Sequence, residues 1–367
     1  MIRLRIGTVE EVRAPRPGVL ELLVECEGRR QPALAYPDLT GPVAEGATVL
    51  LNTTAVDRGL GSGGFHFVVA VAGHGDVEPA GPGHVMKLRY TPLQAQVLAV
   101  EEQESTDRDA LVDADDLGGL PVVWLPLHSM VGTACAGARI AGADRIVLVM
   151  TDGAALPLWL SEQVHALREA GLLDATITAG QALGGDREAV NLFSALLAAR
   201  HLEETDVAIV ADGPGKVGTQ TRWGATEVSG GMALNAATIL RGRPIAGIRL
   251  NFADPTYRHY GLSPHSITVL TRVAQSPVHV AVPTLEGRPR EMVWSALRAA
   301  RIEERHQVVE VTGEPAVDLL RREGVGAETM GRSLEDEPAF FQAAGAAGVL
   351  AGRMAAGSSR WRQEARA

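Results

Sequence analysis

Ile146-Val147-Leu148-Val149-Met150 runs straight into Thr151-Asp152-Gly153, and this stretch decides the fold. Five consecutive apolar residues closed by a turn tripeptide read as a strand covered on both faces. Such strands belong to parallel sheets, whose crossover helices coat both sides. Outward from it the same rhythm repeats. Candidate strands are Val122–Leu125, Ala175–Thr178, Val207–Ala211, Ile245–Leu250, Val278–Val282 and Val308–Val311. Helix-length amphipathic segments lie between them at Leu156–Ala170, Arg187–Leu202, Ala225–Leu240 and Pro264–Ala274. Asp186 stands where the second of these needs an N-cap. The expectation is an α/β fold with a mostly parallel, doubly wound sheet.

The first seventy-odd residues follow a different period. Ile2–Val12, Val19–Cys26, Pro32–Tyr36, Thr48–Asn52 and Phe65–Val71 are short β-rich runs parted by Gly, Pro or Asp, as in a small closed barrel of SH3-like or OB-like type. Eight carboxylates and one arginine crowd the stretch from Glu101 to Asp116, which reads as a solvated linker. The expected organisation is a barrel over 1–80, a connecting segment with the acidic linker over 81–118, the α/β domain over 119–335, and a C-terminal helix and tail over 336–367.

Composition narrows the function. A chain of 367 residues with 46% apolar and 21% charged residues is an ordinary globular protein. The formal charge of −10 argues against general nucleic-acid binding, which needs a basic face. Arg3, Arg5, Arg13, Arg16, Arg29 and Arg30 dot the barrel, but few aromatics accompany them for base stacking. Cys26 and Cys135 lack any CxxC spacing and read as buried thiols. No apolar run reaches the roughly 18 residues of a membrane span, and Met1–Ile6 enters a strand pattern without a signal-peptide core. A cytoplasmic location is expected, and a homo-oligomer is compatible with the chain.

In open parallel sheets ligands bind beyond the carboxyl ends of the strands, so those ends locate the site. They carry Thr151-Asp152-Gly153, Ala179-Gly180-Gln181, the run from Asp212 to Gly224, and the run from Asn251 to Gly261. The third is thirteen residues long, against the usual two to six or so of a βα connection. Its Gly213, Gly215 and Gly218 leave backbone amides free to approach an anion, and Lys216 and Arg222 add charge. It is neither a P-loop, since Val217 follows Lys216, nor a dinucleotide fingerprint.

The fourth end contributes Arg258, His259 and His265, with Ser263-Pro264 as a helix start. Asp152 and Asp212 are candidates for general bases or a divalent-metal pair, and Asp254 for a metal ligand beside His259 and His265. His259 and His265 are the candidate proton carriers. His128 reads more simply as a buried histidine.

Leu60-Gly61-Ser62-Gly63-Gly64-Phe65-His66-Phe67 and His84-Val85-Met86-Lys87-Leu88-Arg89-Tyr90-Thr91-Pro92 resemble a family of uncharacterised bacterial proteins, domain-of-unknown-function family 3866. Gly213-Pro214-Gly215 through Trp223-Gly224, and Arg258-His259 through Pro264-His265-Ser266, carry the same resemblance. It extends over nearly the whole chain and implies that barrel and α/β domain form one unit, but it brings no activity with it. The residues themselves favour a small-molecule enzyme acting on a phosphate- or carboxylate-bearing substrate. The alternative is a non-catalytic ligand-binding or scaffold protein whose barrel docks a partner.

Overall fold

The computed structural model describes residues 2–61, 63–73, 81–253 and 260–364, with side chains to 357. Asp254, Arg258 and His259 lie outside the described residues. The chain divides into two compact units, Met1–Leu98 and Ala99–Ala367.

The first unit is a closed barrel of β1 (Leu4–Arg16), β2 (Val19–Cys26), β3 (Arg29–Ala35), β4 (Thr48–Asn52) and β5 (His66–Val71), in the order β1-β2-β3-β5-β4. β3 and β5 run parallel, and the other four pairs are antiparallel. That crossing separates the two expected barrels. An SH3-like barrel is built largely of antiparallel neighbours, whereas a parallel β3–β5 closure is the OB arrangement. Alternate residues fill the interior, among them Val9, Leu22, Val24, Val49, Leu51 and Val68. Several barrel arginines are paired within the unit. Arg3 pairs with Asp57, Arg5 with Glu27, Arg13 with Glu11 and Arg30 with Glu10. A small hairpin, β6 (Val85–Lys87) with β7 (Ala95–Val97), completes this unit.

The second unit holds an eight-stranded sheet, parallel throughout. Its strands are β8 (Pro121–Trp124), β9 (Ile146–Thr151), β10 (Ala175–Ala179), β11 (Arg187–Ala189), β12 (Val207–Asp212), β13 (Arg243–Ala246), β16 (His279–Pro283) and β17 (Gln307–Val311). A two-residue pair, β14 (Leu250–Asn251) with β15 (Gly261–Leu262), stands apart from it. The sheet order is β11-β10-β9-β12-β8-β13-β16-β17. Ile146, Leu148 and Met150 pack on one face, Val147 and Val149 on the other, as the two-residue period of a strand requires. The first face is covered by the helices Val131–Ile140, Glu162–Glu169, Glu314–Arg322 and Pro338–Glu364, and the second by Leu192–His201, Met232–Ile239 and Gly287–Ala299.

Three local expectations are corrected. Arg187–Ala189 is an edge strand beside β10 and not the start of a helix. Asp186 therefore caps nothing: its carboxylate accepts from Thr176 N and Oγ1 and pairs with Arg168. The helix begins at Leu192, where Asn191 and Ser194 form a reciprocal capping box. The strand expected over Ile245–Leu250 ends at Ala246, because Leu250–Asn251 turns away to pair antiparallel with Gly261–Leu262. The acidic residues also find partners within this unit. Glu101 accepts from Val190 N at 2.8 Å, Asp107 pairs with Arg187, and Asp116 pairs with Arg241 at 3.1 Å. Cys26 and Cys135 are free and buried, and burial pushes the Cys135 thiol up to about 12.

Glycines let the C-terminal helix pack backbone to backbone on Val131–Ile140. A Cβ on Gly348 would fall 2.0 Å from Ala134 O. Gly→Ala inside a helix ordinarily stabilises by about 1 kcal/mol, but here the added methyl strikes a carbonyl, and overpacking costs about 1–3 kcal/mol. Gly348→Ala is expected to lower the melting temperature. Gly357→Ala, where a Cβ meets nothing within 4 Å, is expected to hold or raise it.

Candidate functional site

The position of the site follows from the strand order. β8 sends its chain through Val131–Ile140 on the first face to β9, whereas its neighbour β12 sends its chain through Met232–Ile239 on the second face to β13. The two connections part above adjacent strands, leaving a crevice at their carboxyl ends. A cleft of about 1110 Å³ lies there, slightly larger than the usual small-molecule site.

The long loop after β12 forms one wall. Asp212 is 3% exposed at the strand end. Its Oδ1 accepts from Thr151 Oγ1 at 2.5 Å and Gly153 N at 3.2 Å. Lys216 Nζ lies 2.8 Å from its Oδ2 as an ion pair, without the alignment of a hydrogen bond. Gly213 is demanded by space, since a Cβ there would sit 2.1 Å from Ala155 O. Gly213, Gly215, Lys216, Gly218 and Arg222 all line the cleft. The loop closes on itself: Thr219 N donates to Gly224 O, Gly224 N to Thr221 Oγ1, and Val217 N to Thr226 Oγ1. Those three amides are thus occupied, and the Lys216 and Arg222 side chains add positive charge to the cleft lining.

The opposite wall includes residues of the basic stretch between Arg249 and Ser266. Arg249 carries its guanidinium into the cleft, with Nη1 4.0 Å from Glu227 Oε2. Glu227 is 3% exposed and accepts from Ser266 Oγ at 3.1 Å and Ser263 Oγ at 3.4 Å. Ser263 caps the short helix begun by Pro264, as its sequence implies. His265 Nε2 lies 3.1 Å from Thr221 O, at the cleft surface.

The floor holds His128 and Ser161. His128 follows β8; Ser161 is the N-cap of Glu162–Glu169 and its Oγ accepts from Val164 N at 3.1 Å. His128 Nδ1 is 2.9 Å from the Asp212 carbonyl oxygen, and Nε2 is 2.6 Å from Ser161 Oγ. A carbonyl only accepts, so Nδ1 carries the proton and Nε2 accepts the Ser161 hydroxyl. Burial holds the His128 pKa down to about 4, with the Lys216 charge acting in the same direction. The ring is neutral at neutral pH. His128 is thus buried, as its sequence position suggests, and also lines the cleft.

Asp152 is absent from the cleft lining. Asp152 is exposed and its carboxylate accepts from Gln181 N at 2.8 Å, as a turn residue does. Among the described residues, the cleft's Asp, Glu and His side chains form no group with metal-ligand spacing. Among the described residues searched, no helix is long and apolar enough to cross a membrane.

Fold and cleft define a class: an OB-type barrel unit followed by a doubly wound parallel α/β unit with a polar cleft at its switch point. The chain belongs to the family described as protein of unknown function, DUF3866, which it matches over residues 32–348. The match runs from β3 into the C-terminal helix and so takes in the whole cleft. A search of curated proteins gives no match.

Proposed function

We propose that this protein is an enzyme that binds a small phosphate- or carboxylate-bearing molecule in the switch-point cleft and acts on it there. One observation carries the reading: the Lys216, Arg222 and Arg249 cations line the same cleft as the neutral His128. Cations set around an enclosed space hold and orient an anion, and a neutral imidazole within reach of that space supplies a base. Lys216 is bound to Asp212, so Arg222 and Arg249 are the groups for the substrate's charge and Lys216 tunes the floor. Asp212 positions Lys216 and offers its backbone carbonyl to His128.

A non-catalytic ligand-binding protein is the second reading, favoured by Asp152, whose carboxylate is engaged in a turn. The test is thermal denaturation with inorganic phosphate, nucleotides, sugar phosphates and carboxylates. An anion at ~100 times its dissociation constant adds about 2.7 kcal/mol of stability, raising the melting temperature by about 5 °C in a unit of this size. The shift is expected to vanish in Arg222→Ala, an exposed position, and in Arg249→Met. No shift with any of these anions sinks the anion site. A shift without turnover of the bound compound favours the second reading.

A further inference from the structure

Resting on the cleft just described but not on its choice of anion, we propose that Ser161 is a catalytic nucleophile with His128 as its general base, acting on an ester carbonyl. Three groups stand in sequence: the Asp212 carbonyl oxygen, 2.9 Å from His128 Nδ1; the imidazole; and Ser161 Oγ, 2.6 Å from Nε2. This is the relation that activates a hydroxyl, a base within hydrogen-bond reach and itself oriented by a third group. Both side chains line the cleft, although His128 is 7% and Ser161 5% exposed. A helix cap needs only the Ser161 lone pair that Val164 N–H occupies; the proton directed at an oriented imidazole is surplus to that role.

Two further features suit an acyl substrate. Negative charge developing beside Ser161 meets the start of Glu162–Glu169, the positive end of that helix. Gln163, on the same helix turn and also lining the cleft, keeps Oε1 buried without a hydrogen-bond partner among the described residues. A buried acceptor of that kind calls for a donor, which an N–H or O–H of the substrate provides.

The step balances with water as the co-reactant. Ser161 Oγ attacks the carbonyl carbon, and its proton passes to His128 Nε2. The bond from that carbon to the leaving oxygen then breaks, and His128 returns the proton to the departing alcohol. Water next gives a proton to Nε2 and attacks the acyl carbon. The carbon–Oγ bond breaks, the acid leaves and Ser161 recovers its proton.

The test is covalent trapping of the full-length chain with an uncharged alkyl fluorophosphonate ester, read by intact mass and peptide mapping. Ser161 Oγ bonds to phosphorus, fluoride leaves, and the proton goes to His128. One adduct is expected, on Ser161 and absent from Ser161→Ala, with the labelling rate reduced at least ~100-fold in His128→Gln. Melting curves of both variants report whether they fold; should either fail to, the position of the adduct in the wild-type chain decides. No adduct, an adduct elsewhere, or unreduced labelling of folded His128→Gln overturns the proposal. The two readings fail separately. An anion-induced melting shift without a Ser161 adduct removes the dyad alone, and an adduct without any anion shift removes the anion site alone.

Discussion

Asp212→Ala is expected to destabilise the α/β unit by about 3–5 kcal/mol, the cost of leaving one member of a buried ion pair without its partner. The Lys216 side chain is 8% exposed and that of Asp212 3%, so water cannot replace the lost carboxylate. The same change strips an acceptor from Thr151 Oγ1 and from Gly153 N. Lys216→Met is expected to cost less, because Asp212 keeps those two donors. The double variant is expected to recover much of the Asp212→Ala loss, since removing both charges leaves neither unpaired. Urea unfolding of the four proteins measures the coupling. Additive losses would mean that Lys216 is solvated in spite of its burial. His128 bonds to the backbone carbonyl of residue 212, so Ser161 labelling in folded Asp212→Ala separates loss of the carboxylate from loss of the imidazole's orientation.

Acid is expected to weaken the same unit through His128. The unfolded imidazole titrates near 6.5, and burial lowers the folded value to about 4. Between those values the unfolded chain binds more protons, so stability rises with pH. The contribution is fully present above about pH 6.5 and lost as the pH falls to about 4, on the order of 3 kcal/mol in all. The charged groups acting on the ring are Lys216, which adds to the lowering, and Asp212, which opposes it. Burial shifts His66 and His306 in the same direction, so the informative quantity is a difference. His128→Gln is expected to lose less stability than wild type between pH 7 and pH 4.5. Parallel losses would place the His128 pKa near its ordinary value and weaken the case for a neutral base.

How far these features could be read in advance depends on how local they are. The buried strands from Val122 to Val311 were legible because an unbroken apolar run bounded by turn residues has few other solutions. The loop from Asp212 stood out by its length and glycines, and Gly213, Gly215, Lys216, Gly218 and Arg222 do line one cleft. Asp152 was ambiguous, because Asp-Gly after a strand is also the chemistry of a plain turn. Arg187–Ala189 misled because a three-residue edge strand leaves no period of its own, and the helical pattern behind it absorbed it. Ser161 fell inside the helix expected over Leu156–Ala170, whereas it caps a helix that begins at Glu162, and His128 looked like one more core residue.

The chain's local chemistry thus determined the two kinds of architecture, the edge on which a site would lie and the loop that walls it. Each rests on periodicity, glycine freedom or charge within about a dozen residues. The tertiary structure decided the OB closure through the pairing of β3 with β5, and the crevice through the placing of β12 between β9 and β8. It also decided the meeting of His128 with Ser161, 33 residues apart, and of Arg249 with Glu227. Those depend on which strands lie side by side, and strand order is set by the packing of both sheet faces at once, which no single segment encodes.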